Sequence, residues 1–102
     1  MIELEEWEHQ PQEVKGTYFF SGQFYITKGI QELLEAEEIA EIYLYVKEKA
    51  EEENGLDYLQ VFRHKQSGTK LFFIDQLNKE MKETGQYLPE YDYCTLMLAS
   101  EY

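Results

Sequence analysis

The sequence predicts an α+β fold in which one long helix packs on one face of a small antiparallel sheet of about three to five strands. An acidic amphipathic segment, residues 37–53, has the apolar spacing of a helix and is the longest element that the chain can form. Segments on both sides of it are rich in Tyr, Phe, Ile and Val, which favour strands. A chain of 102 residues, 43% of them hydrophobic, is expected to form one domain with one modest core.

The chain begins with a strongly acidic segment, and we predict that residues 1–15 form an N-terminal arm beside a single domain of residues 16–102. Adjacent glutamates and Pro11 interrupt any strand pattern, so the arm is expected to be irregular or a short edge strand. Trp7 is expected to anchor the arm by packing on the domain.

The aromatic segment that follows, Thr17–Thr27, allows two interpretations. The favoured one is a tight hairpin in which Thr17–Phe20 and Gln23–Thr27 are joined at Ser21-Gly22. The other is a single long strand with a bulge at Gly22.

The apolar residues of the next segment change direction along the chain. At about 100° per residue, one set lies on one side of a helix and the other set lies roughly opposite. The first set is Ile30, Leu33 and Leu34, and the second is Ile39, Ile42, Tyr43, Val46 and Ala50. We therefore predict a short helical turn capped by Thr27, then a break near Leu34–Ala36. The main helix is predicted over Glu37–Glu53, with Asn54-Gly55 as a left-handed stop. The alternative is a strand over Glu41–Lys47, which is rich in Tyr, Ile and Val.

The sequence pattern of the last part of the chain predicts a hairpin, a short helix and a final strand. Alternation predicts strands at Asp57–His64 and Lys70–Asp75. Helical spacing predicts two turns over Gln76–Glu83, ended by Gly85. The nearly continuous apolar run Tyr91–Ala99 is typical of a strand buried on both faces, so we place it centrally in the sheet.

The net charge of −12 is concentrated in the first half of the chain. Residues 1–57 contain fifteen acidic and four basic residues, whereas residues 58–102 contain six and five. This balance opposes contacts with phosphates, so we predict no direct binding of nucleic acid or of an anionic membrane surface. The same negative charge is compatible with a basic protein partner.

Three features favour a cytoplasmic location. The longest uncharged apolar run, Ile42–Val46, is far shorter than the roughly 20 residues of a membrane span. The first residues lack the basic and apolar regions of a secretory signal. The single cysteine, Cys94, excludes an internal disulfide.

No motif for catalysis, metal binding or cofactor binding stands out, so we predict no catalytic residue, metal or cofactor and no enzymatic activity. His64 is expected to be an exposed strand-end residue, and Cys94 a core residue of low reactivity. His9 lies among glutamates but lacks the ligand spacing of a zinc or calcium site.

Four blocks of the sequence resemble a family of small bacterial proteins known as domain of unknown function 960, which occurs in Gram-positive bacteria and their mobile elements. The blocks are YITKG at Tyr25–Gly29, DYLQVF at Asp57–Phe62, LFFID at Leu71–Asp75 and TLMLASEY at Thr95–Tyr102. The segment Gln76–Asp92 replaces a short turn of that family, so the resemblance fits this family or a sister family. It supports the strand predictions and a bacterial origin, and it implies no activity.

The leading functional hypothesis is a non-catalytic accessory module that binds an unidentified protein partner. The partner would meet the aromatic sheet face or the C-terminal tail at Tyr102, and an open second face would also suit a homodimer. An uncharacterised enzyme is a further alternative, which would need His64 close to a carboxylate.

A different hypothesis is an acidic mimic of nucleic acid that blocks a DNA-binding protein. Four glutamates of the main helix are predicted on one side, with four-residue steps about 6 Å apart, close to the spacing of phosphates along a strand. They are Glu37, Glu41, Glu48 and Glu52, and Leu44 interrupts the row.

Overall fold

The computed structural model describes residues 3–102 of the chain as a five-stranded mixed sheet with three α-helices. The strands are β1 (Trp7–His9), β2 (Gln23–Ile26), β3 (Leu59–His64), β4 (Lys70–Asp75) and β5 (Tyr93–Leu98). The α-helices are α1 (Lys28–Leu33), α2 (Ala36–Glu52) and α3 (Lys79–Thr84), and short 3₁₀ turns occupy Pro89–Tyr91 and Ala99–Glu101. The α+β prediction is confirmed.

The strand order is β1-β3-β4-β5-β2. Neighbouring strands are antiparallel except for β2 and β5, which are parallel, so the sheet is mixed rather than wholly antiparallel. The strand predicted to be central, β5, lies between two neighbours, but the middle strand of the five is β4.

The predicted break between two helices is confirmed. Thr27 caps α1, because its hydroxyl accepts a hydrogen bond from the Ile30 backbone N–H at 3.4 Å. The chain is extended at Leu34, and α2 begins at Ala36. Because of this break, Ile30 and Ile42 can both be buried, although they would lie about 120° apart around one continuous helix.

The predicted stop of the main helix is also confirmed. Asn54 and Gly55 both have a positive φ, 56° and 112°. At Gly55 a Cβ atom would lie 2.7 Å from the Thr17 Cα atom, so a side chain would collide with the backbone there. This turn delivers the chain into β3.

The favoured hairpin at Thr17–Thr27 is wrong, and so is the single bulged strand. Only Gln23–Ile26 forms a strand, and it pairs with β5 rather than with Thr17–Phe20. Tyr18 instead bridges to Leu56. Phe20 turns the chain at φ 54° with its ring fully buried, and burial of that ring offsets the cost of the left-handed conformation.

The acidic arm takes part in the sheet. Trp7–His9 forms the edge strand β1, antiparallel to β3, so the edge-strand interpretation of the arm is the one observed. Trp7 is buried, as predicted, and its indole N–H donates to the Glu38 carboxylate at 3.4 Å.

The hydrophobic core lies between α2 and the sheet face beneath it. Phe73 on β4 contacts the rings of Phe20 and Phe24, with centroid distances of 4.8 and 5.5 Å. Side chains that alternate with the core positions, such as Val61 and Phe72, point to the other face, away from the core residues of α1 and α2.

Candidate functional site

The five residues that the sequence singles out lie on opposite sides of the sheet. Glu37, Glu41 and Glu52 are exposed on the outer side of α2, and Glu48 is half-buried. Leu44 is exposed in the middle of this row, as expected. Tyr102 lies on the face away from α2, with its ring 5.5 Å from that of Phe72.

The acidic arm and α2 together form a wider acidic surface than the helix alone. Two depressions, of about 510 and 120 Å³, lie between them. Their glutamates are Glu3, Glu8, Glu48 and Glu52 in the larger and Glu5, Glu6, Glu38 and Glu41 in the smaller. This convergence could not be predicted from the sequence, because only the pairing of β1 with β3 brings the arm and the helix together.

A groove of about 870 Å³ lies at the end of the sheet where β4 leaves it. Its lining combines tyrosine rings, an apolar floor and side chains of both charges. These lining residues are Tyr18, Tyr58, Tyr102, Ile74, Leu77, Lys15, Lys79, Lys82, Asp57, Asp75 and Glu83. A concave site of this volume with an apolar floor is typical of ligand and peptide sites, although this lining is more polar than most.

The buried carboxylate in the groove is held by the backbone of the turn that follows β4. Asp75 accepts a hydrogen bond from the Leu77 N–H at 3.1 Å. Burial, and then the nearby Asp92, raise the pKa of Asp75 above its ordinary value. The groove has neither His nor Cys in its lining, so this carboxyl has no adjacent nucleophile or base of those types.

The wall of the groove formed by Tyr18 is fixed by two contacts. The Tyr18 hydroxyl donates to the Leu77 carbonyl at 3.3 Å, and the Lys82 ammonium lies 5.1 Å from the centre of the ring. Three of the chain's nine cationic side chains, Lys15, Lys79 and Lys82, line the groove, and within residues 3–102 none of them forms an ion pair within 4.0 Å. Their ammonium groups are therefore available to an anionic ligand.

A buried polar network ties the arm to β3 and α2. The Gln60 amide nitrogen donates to the Asp57 carbonyl and to the Gln12 side-chain oxygen, both at 2.9 Å. A carbonyl oxygen can only accept, so the Gln60 atom bonded to Asp57 must be the amide nitrogen. The atom of the Gln60 amide that lies 2.7 Å from His9 Nε2 is therefore the oxygen. His9 therefore carries its proton on Nε2, and its Nδ1 accepts from the Tyr45 hydroxyl at 2.9 Å.

Burial, with a smaller contribution from the Lys49 ammonium, lowers the pKa of His9 below its ordinary value of 6.5, although the bond to Gln60 opposes this. Folding therefore favours the neutral ring. The stabilisation is complete above pH 6.5 and is lost as the pH falls from 6.5 through the lower pKa of the folded state.

We expect unfolding experiments at several pH values to show this loss as a His9-dependent slope of at most about 1.4 kcal/mol per pH unit, the limit for one proton. The control is the His9→Gln variant, which cannot titrate at this position. Its stability relative to the natural chain should improve as the pH falls from 7.5 to 5.5. Parallel pH curves for the two chains would contradict this assignment.

The C-terminal residues are joined to the start of α1. The Glu101 carboxylate accepts hydrogen bonds from the Thr27 hydroxyl at 2.6 Å, from Leu98 N–H at 2.9 Å and from Gly29 N–H at 3.2 Å. These bonds lower the pKa of Glu101, and the bond from Thr27 has the largest effect. A Cβ atom at Gly29 would lie 2.6 Å from this carboxylate. Two of the blocks noted in the sequence, YITKG and TLMLASEY, therefore meet at one structural contact.

The two residues considered for chemistry lie apart. Cys94 is buried, and burial raises the pKa of its thiol to about 12, so the predicted core position is confirmed. His64 is at the end of β3 as predicted, but it is half-buried rather than exposed, because it packs edge-on against Trp7. Its Nδ1 accepts a hydrogen bond from Ser67 N–H at 3.1 Å. Among the described residues it makes no hydrogen bond to a carboxylate. That the chain has no enzymatic activity stays a prediction.

Within residues 3–102, no three His, Cys, Asp or Glu side chains are grouped so that they could hold a metal ion. None of the helices in the described chain is both long and apolar enough to cross a membrane.

Comparisons of the chain with protein-family models, with curated proteins and with solved structures found no match. The resemblance to domain of unknown function 960 therefore stays a prediction.

Proposed function

We propose that this chain is a non-catalytic module that binds another protein, and that the groove receives a segment of that partner. The observation that carries the proposal is the groove itself, with three tyrosines around an apolar floor formed by Ile74 and Leu77. Tyrosine is enriched at protein interfaces because its ring supplies contact area while its hydroxyl supplies hydrogen bonds. Tyr102 is 74% exposed, and Tyr58 is 43% exposed, so both rings have area left for a partner to cover.

The two lysines of α3 favour an acidic partner segment at this wall of the groove, although the lining as a whole has three lysines and three acidic residues. Asp75 is buried and bound to backbone, whereas Lys79 and Lys82 lie on α3 without an ion pair in the described chain. A segment that places an apolar side chain on the floor and carboxylates beside these lysines would complement both features.

Site-specific photocrosslinking in a bacterial lysate tests the proposal. A photoreactive phenylalanine in place of Tyr102 or Tyr58 should capture the same protein. The matched control is the same group in place of Tyr91, which is 47% exposed but outside the groove. Equal capture from Tyr91 would contradict a partner site in the groove.

The captured partner then allows a quantitative test of the charges. The double variant Lys79→Glu and Lys82→Glu should bind it at least about tenfold more weakly, which corresponds to about 1.4 kcal/mol. The control is the double variant Lys28→Glu and Lys65→Glu, which changes the net charge equally outside the groove. If both double variants lose the same affinity, the lysines act only through the net charge of the chain.

We propose the nucleic-acid mimic as a second candidate, favoured by the convergence of the arm and α2 into one acidic surface. A DNA-binding protein held by this surface should be displaced by duplex DNA, since both would occupy its basic groove. Changing Glu37, Glu41, Glu48 and Glu52 to Gln should abolish that binding. Changing Glu13, Glu32, Glu80 and Glu90 to Gln removes the same charge elsewhere and is the control. Equal losses in the two variants would reject the mimic.

A further inference from the structure

The strand β2 is at the edge of the sheet, and one side of its backbone is free. Gln23 N–H donates to the Asp92 carbonyl at 3.0 Å and Thr27 N–H donates to the Leu96 carbonyl at 3.2 Å. Because backbone groups alternate in direction along a strand, Phe24 and Ile26 direct their N–H and C=O groups outward. Within residues 3–102 these outward groups have no hydrogen-bond partner.

This edge lacks three of the features that commonly prevent strand addition, although β2 is only four residues long. Edge strands are commonly protected by charged residues, proline or bulges. The opposite edge strand, β1, includes the charged Glu8 and is followed by Pro11, whereas β2 reads QFYI and has neither. In β2, Tyr25 is 50% exposed and Ile26 is 37% exposed.

The charges on α2 also differ between the two edges. On the side of β1, Glu41, Glu48 and Glu52 line the acidic depressions. On the side of β2, the Tyr43 ring stacks on Phe24 at 4.5 Å, and the Lys47 ammonium donates to the Phe20 carbonyl at 3.3 Å. A second copy of a chain with net charge −12 therefore meets less repulsion at β2 than at β1.

We propose that a second copy of the chain adds to β2 as an antiparallel strand, with a two-fold axis at Tyr25. In this register Phe24 pairs with Ile26 of the partner subunit, and each pair exchanges two backbone hydrogen bonds. All outward N–H and C=O groups of Phe24 and Ile26 are then used. The register also places an aromatic ring beside a β-branched side chain, a favourable cross-strand pair.

The pairing joins the two sheets into one continuous sheet with α2 of both copies on the same face. No residue of β2 lines the groove at the end of β4. The dimer and the proposed partner site are therefore independent, and each can fail without the other.

The test uses the position of Tyr25 on the axis. Directly opposite residues in a non-hydrogen-bonded antiparallel pair have Cα atoms about 4.5 Å apart, within the range that a disulfide spans. With oxidised glutathione as the oxidant, the Tyr25→Cys variant should form a covalent dimer from most of its chains. The natural cysteine, Cys94, is buried and provides no competing thiol.

Two cysteine variants are the controls. Tyr58→Cys places a thiol at a similarly exposed tyrosine on the surface, and Ile26→Cys places it one position from the axis. Neither should cross-link to a comparable extent, because the Cα atoms of two copies of residue 26 would be about 8 Å apart, beyond disulfide range. Cross-linking of Ile26→Cys in preference to Tyr25→Cys would overturn the register, and equal cross-linking of Tyr58→Cys would overturn the dimer.

A reversible test avoids covalent capture. The natural chain should have about twice the mass of 12.2 kDa by light scattering, whereas Tyr25→Lys and Tyr25→Glu should each be monomeric because like charges face each other across the axis. An equal mixture of these two variants should recover the dimer. A natural chain that stays at 12.2 kDa up to about 1 mM, or a mixture that stays monomeric, overturns the proposal.

Discussion

Replacing Phe73 with alanine is expected to lower the free energy of unfolding by about 3–5 kcal/mol. Phe73 is fully buried on the middle strand of the sheet, and its ring meets those of Phe20, Phe24 and Tyr43. The cavity that remains would be lined by these three rings, which are held by other parts of the fold and cannot close it fully. Urea unfolding followed by circular dichroism measures the loss.

The neighbouring residue Phe72 provides the matched control. It is on the same strand but on the opposite face, where it is only half-buried and packs against Tyr102. The Phe72→Ala variant should lose about 1–2 kcal/mol, because less apolar surface is withdrawn from water at this position. Equal losses in the two variants would show that the face away from α2 is as well covered as the core.

Replacing Gln60 with alanine is expected to cost about 2–4 kcal/mol, although the residue is polar. Its side chain is almost completely buried, and the change would remove hydrogen-bond partners from His9, Gln12 and the Asp57 carbonyl. Buried polar groups left without partners each cost about 1–3 kcal/mol. The arm should also separate from the domain, so trypsin should cleave after Lys15 faster than in the natural chain.

Gln10 is the control for this second change. Its amide also forms a side-chain hydrogen bond, to Glu8 at 3.1 Å, but the pair is exposed to water. Gln10→Ala should change stability by no more than about 0.5 kcal/mol and leave cleavage after Lys15 unchanged. If Gln60→Ala behaves in the same way, the network does not hold the arm.

The elements that could be predicted from the sequence are those whose signals are local. The change in apolar direction near Leu34, the cap at Thr27 and the stop at Asn54-Gly55 each depend on a few adjacent residues, and all three are observed. The β3–β4 hairpin is similar, because its two strands alternate on either side of a short turn.

The errors come from contacts between distant parts of the chain. β2 pairs with β5 rather than with Thr17–Phe20, and neither segment carries a signal for a parallel partner. Gln60 and Phe62 both lie on the core side of β3. Leu59 and Val61, on the opposite side, are also apolar, so the sequence does not show which side of the strand is buried. The buried network could therefore not be inferred from the pattern of β3.

Of the features described, the groove was the hardest to predict from the sequence. It is built from Tyr18, Tyr58, the turn after β4, α3 and Tyr102, which are scattered over the chain. Of these, the sequence analysis singled out only Tyr102 as a site residue, from its place after the last strand. Lys79 and Lys82 have ordinary helix-surface spacing, so nothing in their local sequence distinguishes them from solvent-exposed lysines.

The pairing of β2 with β5 alone has a consequence for synthesis. Because the ribosome releases Gln23–Ile26 well before Tyr93–Leu98, β2 has no neighbour in the sheet for most of the time that the chain is being made. Both of its sides are then open, and contacts between residues far apart in sequence form slowly. The strand that is free on one side in the folded chain is therefore free on two sides in the nascent one, and unpaired strand edges of this kind are prone to aggregation.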